Sequence, residues 1–221
     1  MSDTLTWGEL DQDGALEEAA AKLDSRGEFL RKAAVGGGAV LGGGALMGLL
    51  PAVALGQSPP KSDIDILNFA LTLEYLEAEF YTQASSRGKF QGKPGRFAKV
   101  VGGHERAHVA FLKKALGSAA VKKPKFDFKD TTTNAAKFVA TSIVLEDTGV
   151  MAYAGQGPLL KTKAIVAAAL SIHSVEARHA AWIREIKGNS GSPSPAPAAF
   201  DPAKSKAQIL KAVGSTGFIV S

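Results

Sequence analysis

The strongest constraint on this chain is an internal repeat. Leu73-Glu74 and Tyr81 recur as Leu145-Glu146 and Tyr153, 72 residues on. Glu105-x-x-His108 recurs as Glu176-x-x-His179, 71 residues on, and Phe111, Leu112 and Gly117 recur as Trp182, Ile183 and Gly188. A chain that repeats apolar positions at these spacings folds as two copies of one helix pair. Repetition of core residues follows from packing alone. Here polar residues repeat with them.

Apolar periodicity places the helices. Residues 63–86 carry Leu67, Ala70, Leu71, Ala78 and Tyr81 at a helical period, with Asp63 positioned to cap the start. Residues 88–95 break this helix, and a second is predicted over 96–116, ending at Gly117. Residues 118–133 have no helical period and read as a long connection. A third helix is predicted over 134–154 and a fourth over 161–187, ending at Gly188. A Pro/Ser/Ala linker follows, then a short helix near 204–213 and an apolar end at Phe218-Ile219-Val220. Short joints within each pair and a long joint between the pairs predict an all-α four-helix bundle with one long crossover connection. The long joint is expected to return the third helix to the end where the first one starts. The domain boundaries are then 1–57 for a leader, 58–188 for the bundle and 189–221 for a linker and tail.

The repeated polar residues share the apolar stripes. Glu74 lies on the stripe of Leu67, Leu71, Ala78 and Tyr81, and Glu146 on that of Val139, Ile143, Val150 and Tyr153. Glu105 and His108 share a face with Val101, Leu112 and Ala115; Glu176 and His179 share one with Ile172 and Ile183. Four carboxylates and two imidazoles therefore point into the bundle. Burying bare carboxylates together is strongly unfavourable. Two divalent cations against four carboxylates and two neutral imidazoles give a neutral set. With no cysteine in the chain, thiolate sites, disulfides and thiol nucleophiles are excluded, and any metal must be held by oxygen and imidazole nitrogen.

This pattern, one Glu from each of two helices and Glu-x-x-His from each of the other two, resembles the ferritin-like di-metal carboxylate superfamily. All six positions match, in chain order. The Pro/Ala tail with Phe200-Asp201-Pro202 resembles the desiccation-related branch. Rubrerythrins and manganese catalases share the ligand pattern, but no Cys-x-x-Cys is present for the rubredoxin-type iron site of rubrerythrin. The resemblance implies two Fe or two Mn ions held by Glu74, Glu105, His108, Glu146, Glu176 and His179, with the Glu74-type carboxylates able to bridge. It implies chemistry on Fe2+, O2 or peroxide. Three functions follow from it: a di-iron oxidoreductase, a dimanganese catalase-like enzyme, and a non-enzymatic stress protein with a structural or degenerate metal site.

Several neighbours have two readings. Glu77, about 60° round the helix from Glu74, is an outer ligand or a surface charge, whereas Glu79, about 140° away, is solvated. Tyr81 and Tyr153 either hydrogen-bond the ligand carboxylates or simply pack. His104 and His173 fall off the ligand pattern and read as surface histidines, the other reading being an outer-sphere base. Gly102-Gly103 is expected to loosen or bulge the second helix.

The N-terminal region reads as an address. Residues 33–60 contain no charged side chain and eight glycines, a composition that disfavours a soluble helix. Ser25, Arg26, Phe29, Leu30 and Arg31 resemble a twin-arginine translocation signal, with Gly27 in place of the second arginine. Export to the periplasm or beyond is expected, with membrane contact only through this segment; the alternative is an anchor over 33–56. Of 26 basic and 21 acidic residues, four and eight fall in residues 1–32, so the remainder is basic by nine. The lysines are scattered without interleaved aromatics, which argues for a basic exterior and against a nucleic-acid partner. A homo-oligomer stays open; the tail and basic exterior argue against a closed storage shell.

Overall fold

The structure, a computed structural model, describes residues 59–188 and 195–220. The readings of a leader, an export signal and an alternative anchor over 33–56 fall outside the described residues. Four long helices form the bundle: α1 (Lys61–Arg87), α2 (Gly92–Leu116), α3 (Ala135–Gln156) and α4 (Lys163–Lys187). A shorter α5 (Lys206–Thr216) and two short strands, β1 (Lys125–Phe126) and β2 (Ile219–Val220), complete the fold. Among the described residues no helix is long and apolar enough to cross a membrane.

The α1–α2 break is shorter than the sequence predicts. It covers only Gly88 to Gln91, because Pro94 sits in the first turn of α2, where its missing N–H costs nothing. Gly95 is needed there: a Cβ would stand 2.0 Å from the Phe90 carbonyl oxygen. Gly102-Gly103 does not bulge α2, which is α-helical throughout. A Cβ on Gly102 would lie 2.9 Å from Cβ of Tyr81, so this glycine lets α1 and α2 approach closely.

Asp63 does not cap its own helix. It is fully buried in the first turn of α1, and its carboxylate accepts the backbone N–H groups of Lys161 and Thr162, both at 2.9 Å, just before α4. Burial alone would raise its pKa, but these bonds together hold it below the ordinary value. The contact also shows that α1 and α4 start at one end of the bundle. At the other end Phe138, in the first turn of α3, stacks on Phe80 near the close of α1 (ring centroids 5.6 Å). The crossover is present, but it delivers α3 to the end where α1 finishes, the reverse of the sequence expectation. Helices α1 and α3 are therefore antiparallel, and the two hairpins face each other head to tail.

The crossover is pinned along its length. Asn68 of α1 donates to the Ala119 carbonyl at 2.9 Å and accepts the Val121 N–H at 2.8 Å. Further on, β1 pairs antiparallel with β2, Lys125 opposite Val220 and Phe126 opposite Ile219. Asn134 caps α3 by accepting the Lys137 N–H at 3.1 Å.

The C-terminal segment is more than a tail. Ser205 and Gln208 form a capping box at the start of α5, and Gly217 ends it in the left-handed conformation (φ 64°). Ile209, Val213 and Phe218 are buried in the same apolar cluster as Phe69, Leu73, Phe80 and Phe128. The approach to α5 lies against α3, where Lys204 donates to the Met151 carbonyl at 3.1 Å and Gly155 leaves room for the Lys204 backbone. A second apolar cluster, with Leu67, Leu71, Phe111, Leu112, Ile165 and Ile172, fills the opposite end. The repeated polar residues occupy the middle of each helix, between the two clusters.

Candidate metal centre

All six repeated residues come together. His108 Nδ1 lies 3.2 Å from Glu74 Oε2, 3.1 Å from Glu105 Oε2 and 3.2 Å from Glu176 Oε1. His179 Nδ1 lies 3.1 Å from Glu105 Oε1, 3.2 Å from Glu146 Oε2 and 3.9 Å from Glu176 Oε2. Two donor groups result: Glu74, Glu105, His108 and Glu176, and Glu105, Glu146, Glu176 and His179. In each, one donor atom per residue lies within 4.8 Å of every other. Glu105 and Glu176 belong to both, presenting one oxygen to each side. Glu74 and Glu146 face one side each. The resemblance implies that Glu74-type carboxylates can bridge; here the residues common to both donor groups are the Glu-x-x-His glutamates.

His108 Nδ1 is hydrogen-bonded to Glu74 Oε2 and Glu105 Oε2, but most of the remaining donor atoms converge without pairing. Among the described residues seven buried side-chain nitrogen or oxygen atoms lack a hydrogen-bond partner. Five of them are here: Glu105 Oε1, Glu146 Oε2, both oxygens of Glu176 and His179 Nδ1. Glu105 Oε1 and His179 Nδ1 stand 3.1 Å apart, yet their directions do not make a hydrogen bond. Buried polar groups are nearly always satisfied, so lone pairs aimed at a shared point mark a place for a cation. The all-oxygen and imidazole donor set suits Fe or Mn.

Electrostatics support the same reading. Burial pushes Glu74 up to about 7 against the opposing pull of His108. Burial also raises Glu146, and burial with neighbouring carboxylates holds Glu176 well above the ordinary range. Glu105 goes the other way: burial opposes its ionisation, but the two imidazoles beside it hold it well below the usual value. Desolvation disfavours charge on the imidazoles, yet the surrounding carboxylates raise His108 strongly and bring His179 up to about 10. Without cations, protons take their place.

The open readings resolve. Both tyrosines hydrogen-bond the cluster, each to the glutamate of the other half: Tyr81 donates to Glu146 Oε1, and Tyr153 to Glu74 Oε1 at 2.6 Å. Glu77 is no surface charge. It is buried, and burial together with Glu176 and Glu146 holds its carboxyl well above the ordinary value. Its repeat partner is Gly149, whose missing side chain leaves space beside Glu77 Oε1 and Glu176 Oε2. Glu79 faces away from the centre, partly exposed and paired with Lys123. His104 is not simply a surface histidine: its Nδ1 lies 2.8 Å from Nε2 of His179. The sequence signal for both Glu77 and His104 is a break in the repeat, since their counterparts 72 and 71 residues on are Gly149 and Val175. His173 stands outside both donor groups.

Two helix hairpins joined by a crossover, with carboxylates and imidazoles converging at mid-bundle, define a ferritin-like four-helix bundle. A family model of the ferritin-like domain matches residues 62–189. The chain belongs to that family. No curated protein matches the chain at a significant level.

Proposed function

We propose that this ferritin-like protein holds two iron or two manganese ions and performs redox chemistry on Fe2+, O2 or peroxide, exported as part of an oxidative or desiccation stress response. The carrying observation is the set of five buried donor atoms that face a common centre with no hydrogen bond. Such a pair of ions, when bound, would supply two-electron chemistry with O2 or peroxide. The chain's own residues bind and orient. Glu105 and Glu176 span both positions, while Glu74 with His108 and Glu146 with His179 close either side. Tyr153 and Tyr81 hold the two outer carboxylates by their free oxygens. The apolar clusters at both ends of the bundle exclude bulk water from the centre. Four ionised glutamates against two divalent ions are neutral, and Glu77 adds no charge while it keeps its proton.

Export is supported by the basic flank at Arg26 and Arg31 followed by the uncharged, glycine-rich stretch. The twin-arginine route carries folded proteins, which is compatible with loading metal before export.

Elemental analysis after anaerobic Fe2+ or Mn2+ loading tests the core of the proposal. Close to two ions per chain are expected, and markedly fewer in His108→Ala and His179→Ala. Stoichiometry near zero in the intact protein overturns it. Metal content of protein from its own host assigns iron or manganese. Turnover of Fe2+ or peroxide per bound metal separates an enzyme, including a catalase-like one, from a stress protein whose metals only staple the fold. For export, Arg26→Lys is expected to retain the precursor in the cytoplasm, and unchanged fractionation overturns the route.

A further inference from the structure

The two donor groups are related by the repeat, but their surroundings are not. Behind His108, among the described residues, none bonds the remaining ring nitrogen, and the side chain is 12% exposed. Behind His179 stands His104. Its Nδ1 is 2.8 Å from His179 Nε2, with the rings inclined by only 16° and their centroids 5.1 Å apart. That centroid separation is about the N···N distance plus the two ring radii. The nitrogens therefore lie on the line between the ring centres. This is an in-plane N–H···N hydrogen bond rather than a face-to-face stack.

The direction of the bond follows from the other side of the ring. His179 Nδ1 is buried and makes no hydrogen bond, although Glu105 Oε1 and Glu146 Oε2 are 3.1 and 3.2 Å away. A nitrogen that faces a cation site with its lone pair leaves the ring proton on Nε2. Nε2–H then donates, and His104 Nδ1 accepts. We propose that His104 is a positioning residue for the metal position at His179: it takes the His179 Nε2 hydrogen, fixes the ring with Nδ1 toward Glu105 and Glu146, and so makes the two metal positions unequal. A ligand imidazole tied through its other nitrogen is both oriented and made more basic. The position at His108 has no such support, because Val175 occupies the place that repeats His104. The position at His179 is the tighter, resident one, and the position at His108 exchanges more readily.

This inference rests on the two-metal reading, and one titration distinguishes the two. Anaerobic Co2+ is titrated into metal-free protein against a competing chelator, with visible absorption as the readout. Wild type is expected to take up two ions in two steps of different affinity. His104→Leu removes the acceptor and is expected to weaken the first step by about 10–100-fold, leaving the second unchanged, so that the steps merge. His104→Asn offers Oδ1 near the place of Nδ1 and is expected to restore the separation. A merely structural loss would weaken both steps together and would not be rescued by Asn. Two equal steps in wild type, or a His104→Leu curve that matches wild type, overturns the role of His104 while leaving the two-metal reading standing. No uptake by wild type overturns that reading and this inference with it.

Discussion

Tyr153 donates its phenolic hydrogen to Glu74 at 2.6 Å, and the same bond recurs reversed between Tyr81 and Glu146. In each half the tyrosine stands seven residues after the glutamate. Along antiparallel α1 and α3 this spacing lets each helix reach the glutamate of the other. The two bonds tie the repeats together at their most polar level. They also fix which carboxylate oxygen is left to face the centre: Glu74 Oε2 toward His108, and Glu146 Oε2 toward His179.

Tyr153→Phe should therefore affect one metal position and Tyr81→Phe the other. Each leaves a buried carboxylate oxygen without its donor, a loss of about 1.5–3 kcal/mol for a hydrogen bond to a charged group. Chelator competition is expected to show weaker binding at the Glu74–His108 position in Tyr153→Phe and at the Glu146–His179 position in Tyr81→Phe. Identical losses at both positions in either variant would contradict the crossed pairing.

Asp63 makes a different test, of the fold rather than the site. Its two backbone bonds join the start of α1 to the entry of α4, close in space but far apart in sequence. Asp63→Ala is expected to lower stability by about 1–3 kcal/mol, because it strands two N–H donors beneath a buried side chain. Asp65→Ala removes only an exposed pair with Lys61, worth about 0.3–0.5 kcal/mol. Denaturant midpoints of the two variants that coincide would show that Asp63 is no clamp. The stabilisation from Asp63 also has a pH sense. Its folded pKa lies below the ordinary value, so the contribution is present above that value and is lost as pH falls through the folded pKa.

The sequence was legible where a residue's role depends on its own helix. Helical period placed Glu74, Glu105, His108, Glu146, Glu176 and His179 on inward stripes, and the repeat matched the halves. It was silent where a role depends on a second helix. Asp63 read as a local cap because capping is a local rule, while its partners lie on the α3–α4 joint. The direction of the crossover was misread because length alone does not say which end a connection reaches. Glu105 and Glu176 could not be told from Glu74 and Glu146 as the spanning pair, since which oxygen faces which position is set by packing across four helices. Glu77 and His104 each carried two readings from the sequence, and the repeat could have decided between them. Each breaks a repeat that otherwise keeps its polar residues, and such a break points to a site that is not symmetric.

The C-terminal segment was read as a tail because Pro, Ser and Ala precede it. Three of its side chains complete the cluster at one end of the bundle. Ile209 is fully buried there, whereas its neighbour Leu210 is exposed. Ile209→Ala should cost about 2–5 kcal/mol, the range for emptying a large buried aliphatic site. Leu210→Ala should cost no more than about 0.5 kcal/mol. Equal thermal midpoints for the two variants would mean that α5 does not contribute to the core.

The metal-free protein should be most stable in mild acid and should lose stability toward alkaline pH. Glu74 is raised by burial to about 7, so between its ordinary value of 4.5 and 7 the unfolded chain has released a proton that the folded chain keeps. Rising pH then favours unfolding. Glu77, Glu146 and Glu176 are raised as well and act with the same sign. His179 is raised by its carboxylates to about 10, so its contribution is complete below 6.5 and fades as pH climbs toward 10. Glu105 acts oppositely: it is held low, so its contribution is present above its ordinary value and is lost only in stronger acid. The resultant is greatest stability in mild acid and a decline toward pH 9. Cations reverse this trend, since they take the places of the protons and bind more tightly as those protons leave. Thermal melts of metal-free and metal-loaded protein from pH 5 to 9 should therefore diverge, the first falling and the second holding level or rising. Curves that run parallel across that range would mean that protons and metal do not compete for these glutamates and histidines, and the assignment of the centre would fail with them.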